Sequence, residues 1–524
     1  MCYTYLVYIL KSLIIKIERF DILQQEETKQ NTSWWVLIAI GLGVFMAMLD
    51  VTIVNVALPT IQREFNANYV NTQWVVNAYT TTYTVAILVI SKLGDMYGKK
   101  RFFLLSLAIF TLGSLFCVLS PNDLCLNLAR GFEGIGGAGI LGLSMALIGD
   151  NYHGKQRAFI LGIWGSIVGF GTSIGPLVGG FLVQYFNWRS IFMINLPFGI
   201  IALLVGAKYI TEKQHPVDRH LDIVGMILST VTVFCIIWGM LNKENDINAH
   251  WYSLNIMGWL VAGVIMLILF IIWELHQQHP MMDLTLFARP TFVGACLAGF
   301  TISMGLFSFF TYLTILLQDY MGYSPLNVGL QRLIISLFPL LLGPLVGRLI
   351  GQIGTRYVTS GALLLTGIGT GLMLWMLGYH TVWTVLIPAF IFMGLGNAAI
   401  NPGVSNAALL NIKPQETGMA SGINNVFRQF GNCFGIVWLG LIVSDTYKAS
   451  LQQSITNQAL YHKLVAAGPF SGMSIAHSLH DAHLTMLIRH AYYNGMHNLL
   501  IFTTCFFVIT AIITYFLIRP QKHH

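Results

Sequence analysis

Residues 91–101 read SKLGDMYGKKR. They separate two apolar runs, 72–91 and 101–119, each close to the roughly 20 residues that a helix needs to cross a bilayer core. The stretch holds two glycines, Gly94 and Gly98, one acid, Asp95, and a basic cluster ending at Arg101. Glycine permits a tight turn and the close approach of two helix ends. An acid set among bases at such a turn can meet the amides of a helix N-terminus or a nearby arginine. The reading is a short, basic loop between two membrane helices, with Gly94, Asp95, Gly98 and Arg101 as a latch that opens and closes.

The same pattern extends along the chain. Of 524 residues, 55% are hydrophobic and 9% charged, against roughly 25% charged in soluble domains. Apolar stretches broken by Gly, Pro, Asn and charges number fourteen, at 34–58, 72–91, 101–119, 123–148, 157–182, 189–210, 221–241, 254–273, 291–317, 326–350, 357–378, 384–410, 417–444 and 496–518. The fold class is therefore an all-α integral membrane protein. Residues 1–33 contain Lys11 and Lys16 within an apolar run and read as a cytoplasmic segment.

Lysine and arginine stay on the cytoplasmic side of short loops. With the N-terminus inside, nineteen of the 28 basic residues lie on the inner side, six outside and three within spans. Both termini are expected in the cytoplasm, and residues 445–495 are expected to form a long outer loop. The net charge of +7 is explained by these loops and not by nucleic-acid binding. Seven cysteines form no CxxC pair; Cys117 and Cys125 flank an outer turn and are the one pair placed for a bridge.

Ionisable residues within the bilayer are costly and normally face a cavity or a partner. Asp50 lies nine residues before Pro59, and Arg130 seven residues after Asp123. At about 1.5 Å per residue both sit at similar depth below the outer surface, within reach of one another. Glu133 follows Arg130 by one helical turn; it is either an added proton site or a permanent counter-charge. Arg428 lies near mid-depth, and Arg332 nearer the outer surface, where it can snorkel.

Several stretches together resemble the fourteen-span drug:proton antiporters of the EmrB/QacA subfamily of the major facilitator superfamily, over about residues 34–518. They include SKLGDMYGKKR, LDVTIVNVALP at 49–59, RGFEGIGGAG at 130–139 and GSIVGFGTSIGPLVGG at 165–180. WRSIFMINLPFG at 188–199, HLDIVG at 220–225, MDLTLFARPTF at 282–292 and GINNVFRQFGNCFG at 422–435 match as well. The resemblance implies two six-helix halves, 34–210 and 291–518, with 221–273 as two inserted helices. GRLIGQIGTR at 347–356 is similar to a decayed copy of the first loop, with Arg348 for Lys92, Gly354 for Gly98, and Gly351 where the acid would stand. The arginine of RGFEGIGGAG is associated with proton coupling in the resembling proteins, which carry glutamine where this chain has Glu133.

The resemblance further implies an antiporter motif at Gly165, Gly169, Gly175, Pro176, Gly179 and Gly180, whose small residues allow close helix packing. It implies proton coupling through Asp50, Arg130 and Glu133, and a substrate cavity lined by residues such as Phe45, Met48, Met304 and Arg428. The expected function is export of small lipophilic compounds across the cytoplasmic (inner) membrane in exchange for protons. A transporter of one metabolite, such as a siderophore, is the alternative. The partners are the substrate, protons and membrane lipid, with the 445–495 loop a candidate docking surface for a periplasmic adaptor.

No enzyme chemistry and no cofactor are expected: GxxxxGK[ST] and HExxH are absent, and GTSIG at 171–175, the one GxSxG match, lies inside an apolar span and not at a strand-to-helix turn, which disfavours an ATP-driven pump or a hydrolase. Five histidines, His477, His480, His483, His490 and His497, recur in the outer loop without the acids or cysteines of a metal site, and no metal is expected.

Overall fold

In lipid every backbone N–H and C=O must find its partner inside the chain, so the spans are helices. The computed structural model describes residues 34–519, apart from 68–70, 153–155, 173, 213–219, 245–248, 325–326, 380, 456 and scattered positions between 466 and 482. Residues 1–33 lie outside the described residues, as do His477 and His480.

Among the described residues thirteen helices are long and apolar enough to cross a membrane, and a fourteenth arises if the segments Gln156–Thr172 and Ile174–Tyr185, inclined by 42°, count as one span. In chain order spans 1 to 7 are Trp34–Phe65, Asn71–Tyr97, Lys99–Leu119, Asp123–Asn151, that bent pair, Ser190–Tyr209 and Ile223–Glu244. Spans 8 to 14 are Leu254–His276, Pro290–Tyr320, Asn327–Ile353, Thr355–Met376, Trp383–Ala408, Pro414–Ser454 and His483–Leu517. Each observed span contains most of one expected from the sequence.

The two similar loops share a backbone feature. Gly98 between spans 2 and 3 has φ 122°, and Gly354 between spans 10 and 11 has φ 91°. A side chain is strained at such angles, so glycine at both places fixes the same sharp reversal. Span 5 lies along spans 10 and 12, and span 2 against span 13, so the first group of helices meets the last group along two seams. Span 7 packs on spans 2 and 13. Span 8 packs chiefly on span 7 and leaves Leu254, Val264, Ile268 and Ile272 exposed. An apolar helix with so much outward surface is solvated by lipid tails. The inserted pair thus lies outside the seam it borders.

The expected long loop at 445–495 is a correction. Span 13 continues as helix to Ser454, a further helix covers Gln458–Leu479 with a break at Gly468 (φ 69°), and the last helix begins at Ala482. Leu464, Met473, Leu484, Ile488 and Tyr492 are buried there. Tyr320 stacks on Tyr492 at 3.8 Å, and the Tyr320 hydroxyl donates to the Pro469 carbonyl. The segment is thus anchored to the C-terminal end of span 9.

Candidate functional site

Span 1 carries Asp50 and span 4 carries Arg130 and Glu133, and all three are buried. One guanidinium nitrogen of Arg130, Nη1, donates to Asp50 Oδ2 and to Glu133 Oε2, at 2.6 Å in each case. Its Nε donates to the Val75 carbonyl of span 2 at 2.9 Å, and its plane lies over Tyr79 at 4.3 Å from the ring centre. The Ser114 hydroxyl of span 3 donates to Glu133 Oε1, and the Cys117 thiol lies 3.5 Å from Oε2. Asn195 of span 6 donates to Asp50 Oδ1 at 3.3 Å and to Ser114 at 3.2 Å. Spans 1, 2, 3, 4 and 6 therefore converge on one polar knot in an apolar surround.

The geometry brings Asp50 and Arg130 together as their matched depth implies, and it places Glu133 within the same knot. Cys117 and Cys125 are both free, and Cys117 is turned to Glu133, so the sequence-expected option of a bridge is not taken. Ser114 and Asn195 were not singled out from the sequence. Neither is ionisable, and a lone serine in an apolar helix gives no sign of the carboxylate it meets. Asn195 lies inside the WRSIFMINLPFG stretch, which marks its region without marking its role. The same stretch supplies Trp188 and Arg189, each 2.6 Å from a Glu64 oxygen at the C-terminal end of span 1.

A second cluster lies at the end of span 2. Asp95 accepts from the backbone N–H groups of Gly418 at 3.0 Å and Met419 at 2.7 Å, at the start of span 13. A carboxylate at a helix N-terminus satisfies amides that have no partner within the helix and opposes the helix dipole. Lys99 is buried beside it and donates to Asp150 at 2.9 and 3.0 Å, and to the Pro414 carbonyl and Thr417 hydroxyl at 2.7 Å. Asp95, Lys99 and Asp150 belong to the first helices, whereas Pro414 to Met419 belong to the last. Of the expected latch residues Asp95 joins the two groups of helices, and the base buried beside it is Lys99. Arg101 has an exposed side chain, and its backbone N–H donates to Glu212 at 3.1 Å.

The small residues of span 5 form two contacts. A Cβ on Gly165 would lie 2.7 Å from Pro402 of span 12, and one on Gly169 would lie 2.8 Å from Pro339 of span 10. Further along, Gly175 and Gly179 close on Thr52 and Ile53 of span 1, beside Asp50. Gly180 faces open space, so its place in the sequence motif is not explained by helix contact. Pro176 lies within the helix.

A family model described as Major Facilitator Superfamily matches residues 40–436. The chain belongs to the major facilitator superfamily. Among curated proteins it is similar to the multidrug resistance protein Stp of Mycobacterium tuberculosis, 33% identical over 423 residues, 80% of this chain and 78% of Stp. It is 28% identical to the multidrug transporter protein MdtP of Bacillus subtilis, across 95% of both chains. The solved proton:xylose symporter XylE superposes with a TM-score of 0.60 at 13% identity, covering 94% of this chain and 97% of that one. That likeness concerns the fold alone.

In this facilitator the remaining expected cavity residues separate. Phe45 packs between Phe170 and Phe198, with ring centres 6.1 and 5.9 Å away, and Met48 lies 3.7 Å from the Thr172 hydroxyl. Both thus line the contact of spans 1 and 5. Met304 sits in a π-helical turn of span 9, where its carbonyl would be 2.6 Å from a Cβ on Gly435. It is tightly packed in the other half, apart from Phe45 and Met48. Arg332 is half-buried, donates to Thr314 at 2.9 Å and lies over Phe310. Arg428 is buried among asparagines. In the last helix His490 stacks on Tyr379 at 3.7 Å, and His497 is 2.6 Å from the Leu377 carbonyl oxygen, so these two serve packing.

Proposed function

We propose that this facilitator exports small lipophilic compounds from the cytoplasm in exchange for protons, multidrug fashion, and that the Asp50–Arg130–Glu133 knot carries the proton. One observation carries the reading: two carboxylates share a single guanidinium nitrogen in a site closed to water. With both acids ionised the knot bears one excess negative charge. An unpaired charge taken from water costs several kcal/mol, so the site is complete with one proton bound and electrically unbalanced without it. The multidrug names of Stp and MdtP support the substrate class, and the absence of a nucleotide motif leaves an ion gradient as the source of work.

The knot is placed to affect packing between the halves. Asp50 is two residues from Thr52 and three from Ile53, on which Gly175 and Gly179 of span 5 close. Span 5 then meets spans 10 and 12 through Gly169 and Gly165. A change in the pull of Arg130 on Asp50 shifts span 1 against span 5, and span 5 against the second half. At the other seam the Asp95–Lys99 latch holds span 13. Release of one seam as the other closes exposes the site to alternate sides, as rocking of repeats does in facilitators. Inner-membrane placement with both termini cytoplasmic follows from the basic loops, and the helical 445–495 segment is the surface offered to a periplasmic adaptor.

The test is stoichiometric. In proteoliposomes containing a pH-sensitive dye, addition of ethidium should move protons opposite to ethidium, and a proton ionophore should abolish the pH change while ethidium continues down its own gradient. Ethidium flux without proton movement contradicts the exchange. Growth-inhibition panels in cells with and without the gene separate a multidrug range from a single metabolite.

A further inference from the structure

Arg428 on span 13 is more than nine-tenths buried, and among the described residues no carboxylate lies within ion-pair distance of it. Its Nη1 donates to Asn401 Oδ1 at 2.7 Å and its Nε to Asn424 Oδ1 at 3.3 Å. Asn424 is itself held by the Ala295 carbonyl of span 9, and Asn401 donates onward to Asn397 at 3.4 Å. The row ends in two buried donors without partners, Arg428 Nη2 and Asn397 Nδ2. Every acceptor of the row is turned inward, so what it offers outward is hydrogen-bond donors and a positive charge.

The position is central. Asn397 Nδ2 is 3.7 Å from where a Cβ on Gly169 of span 5 would stand, so the row reaches the seam between the halves. On the other side, a Cβ on Gly299 of span 9 would come within 3.2 Å of the Arg428 stem, so the glycine gives the arginine its berth. The contrast with Arg130 is direct: that arginine has two carboxylates supplied by the chain, and this one has none. A buried guanidinium with a free N–H is complementary to a planar anion, which it binds by charge-assisted hydrogen bonds.

We infer that Arg428, with Asn397, is the binding site for a carboxylate on the transported compound, so that the substrates include lipophilic organic acids. The substrate itself brings the counter-charge that the protein leaves out. This rests on the export reading for its direction but not for its binding, which needs no gradient.

The experiment uses the full-length transporter in phosphatidylcholine nanodiscs and two dyes, rhodamine 110 and rhodamine 123, which differ in a free benzoate against its methyl ester. Fluorescence anisotropy without a pH gradient should show the free acid bound about tenfold or more tighter, the worth of one charge-assisted hydrogen bond. Arg428→Gln should bring the ratio near one, and Arg428→Lys should retain part of it. Asn397→Ala should lower the ratio as well, and serves if the arginine variant does not fold. Equal binding of the two dyes, tighter binding of the ester, no binding of either, or an unchanged ratio in these variants overturns the assignment. Failure of proton exchange in the proteoliposome test would leave this result standing.

Discussion

Arg130 is the residue on which the knot depends, because one nitrogen serves two acids while Nε is tied to Val75. Removing one partner of a buried ion pair typically costs about 3–5 kcal/mol, since the other charge is left uncompensated. Arg130→Ala should therefore lower thermal stability in detergent sharply, whereas an unchanged melting curve would show that the acids are not charged partners of Arg130. Glu133→Gln acts differently. It leaves Asp50 as the one carboxylate on that guanidinium nitrogen. Proton-driven efflux should persist in this variant. Loss of coupling with binding intact would assign the exchanged proton to Glu133 instead. The pairing of Asp50 with Arg130 was legible in the sequence because both are ionisable and counting residues along straight helices gives their depth. Ser114, Asn195 and Lys99 were not, because their partners come from other helices whose rotation about the axis the sequence does not fix.

Among the elements, span 5 carries the clearest division of labour. A side chain at Gly165 would run into Pro402, while one at Gly180 meets nothing within 4 Å. Overpacking at a tight contact costs about 1–3 kcal/mol and forces helices apart. Gly165→Val should abolish most export at equal membrane abundance, and Gly180→Ala should leave it unchanged; equal export by both, measured as dye extrusion, would remove the seam from the transport cycle. The spans themselves were readable because lipid demands long apolar helices, which a hydropathy count finds. The helices within 445–495 were hidden for the converse reason. Their polar faces lower the average hydropathy, while Leu464, Met473 and Ile488 turn inward against the bundle.

For the whole molecule the latch and the knot sit on the same first group of helices and act on different seams. Asp95 engages two backbone amides of span 13, and hydrogen bonds to a charged acceptor are worth about 1.5–3 kcal/mol each at most. Asp95→Asn should weaken this closure and slow efflux at equal expression while insertion is preserved; unchanged turnover would deny the latch a gating role. Orientation is open to a direct check in a chain with Cys2, Cys125 and Cys505 replaced by serine. An impermeant thiol reagent on intact cells should label a cysteine at exposed Gln453 and not one at exposed Lys413; the reverse pattern would invert the topology.

The central claim is that a proton held at Asp50 and Arg130 is exchanged for substrate. The most direct measurement is dye efflux from proteoliposomes with an imposed pH gradient, comparing the unaltered protein with Asp50→Asn at matched reconstitution. The account predicts gradient-driven efflux by the former and none above the ionophore background by the latter, with dye binding retained. Full gradient-driven efflux by Asp50→Asn would contradict it.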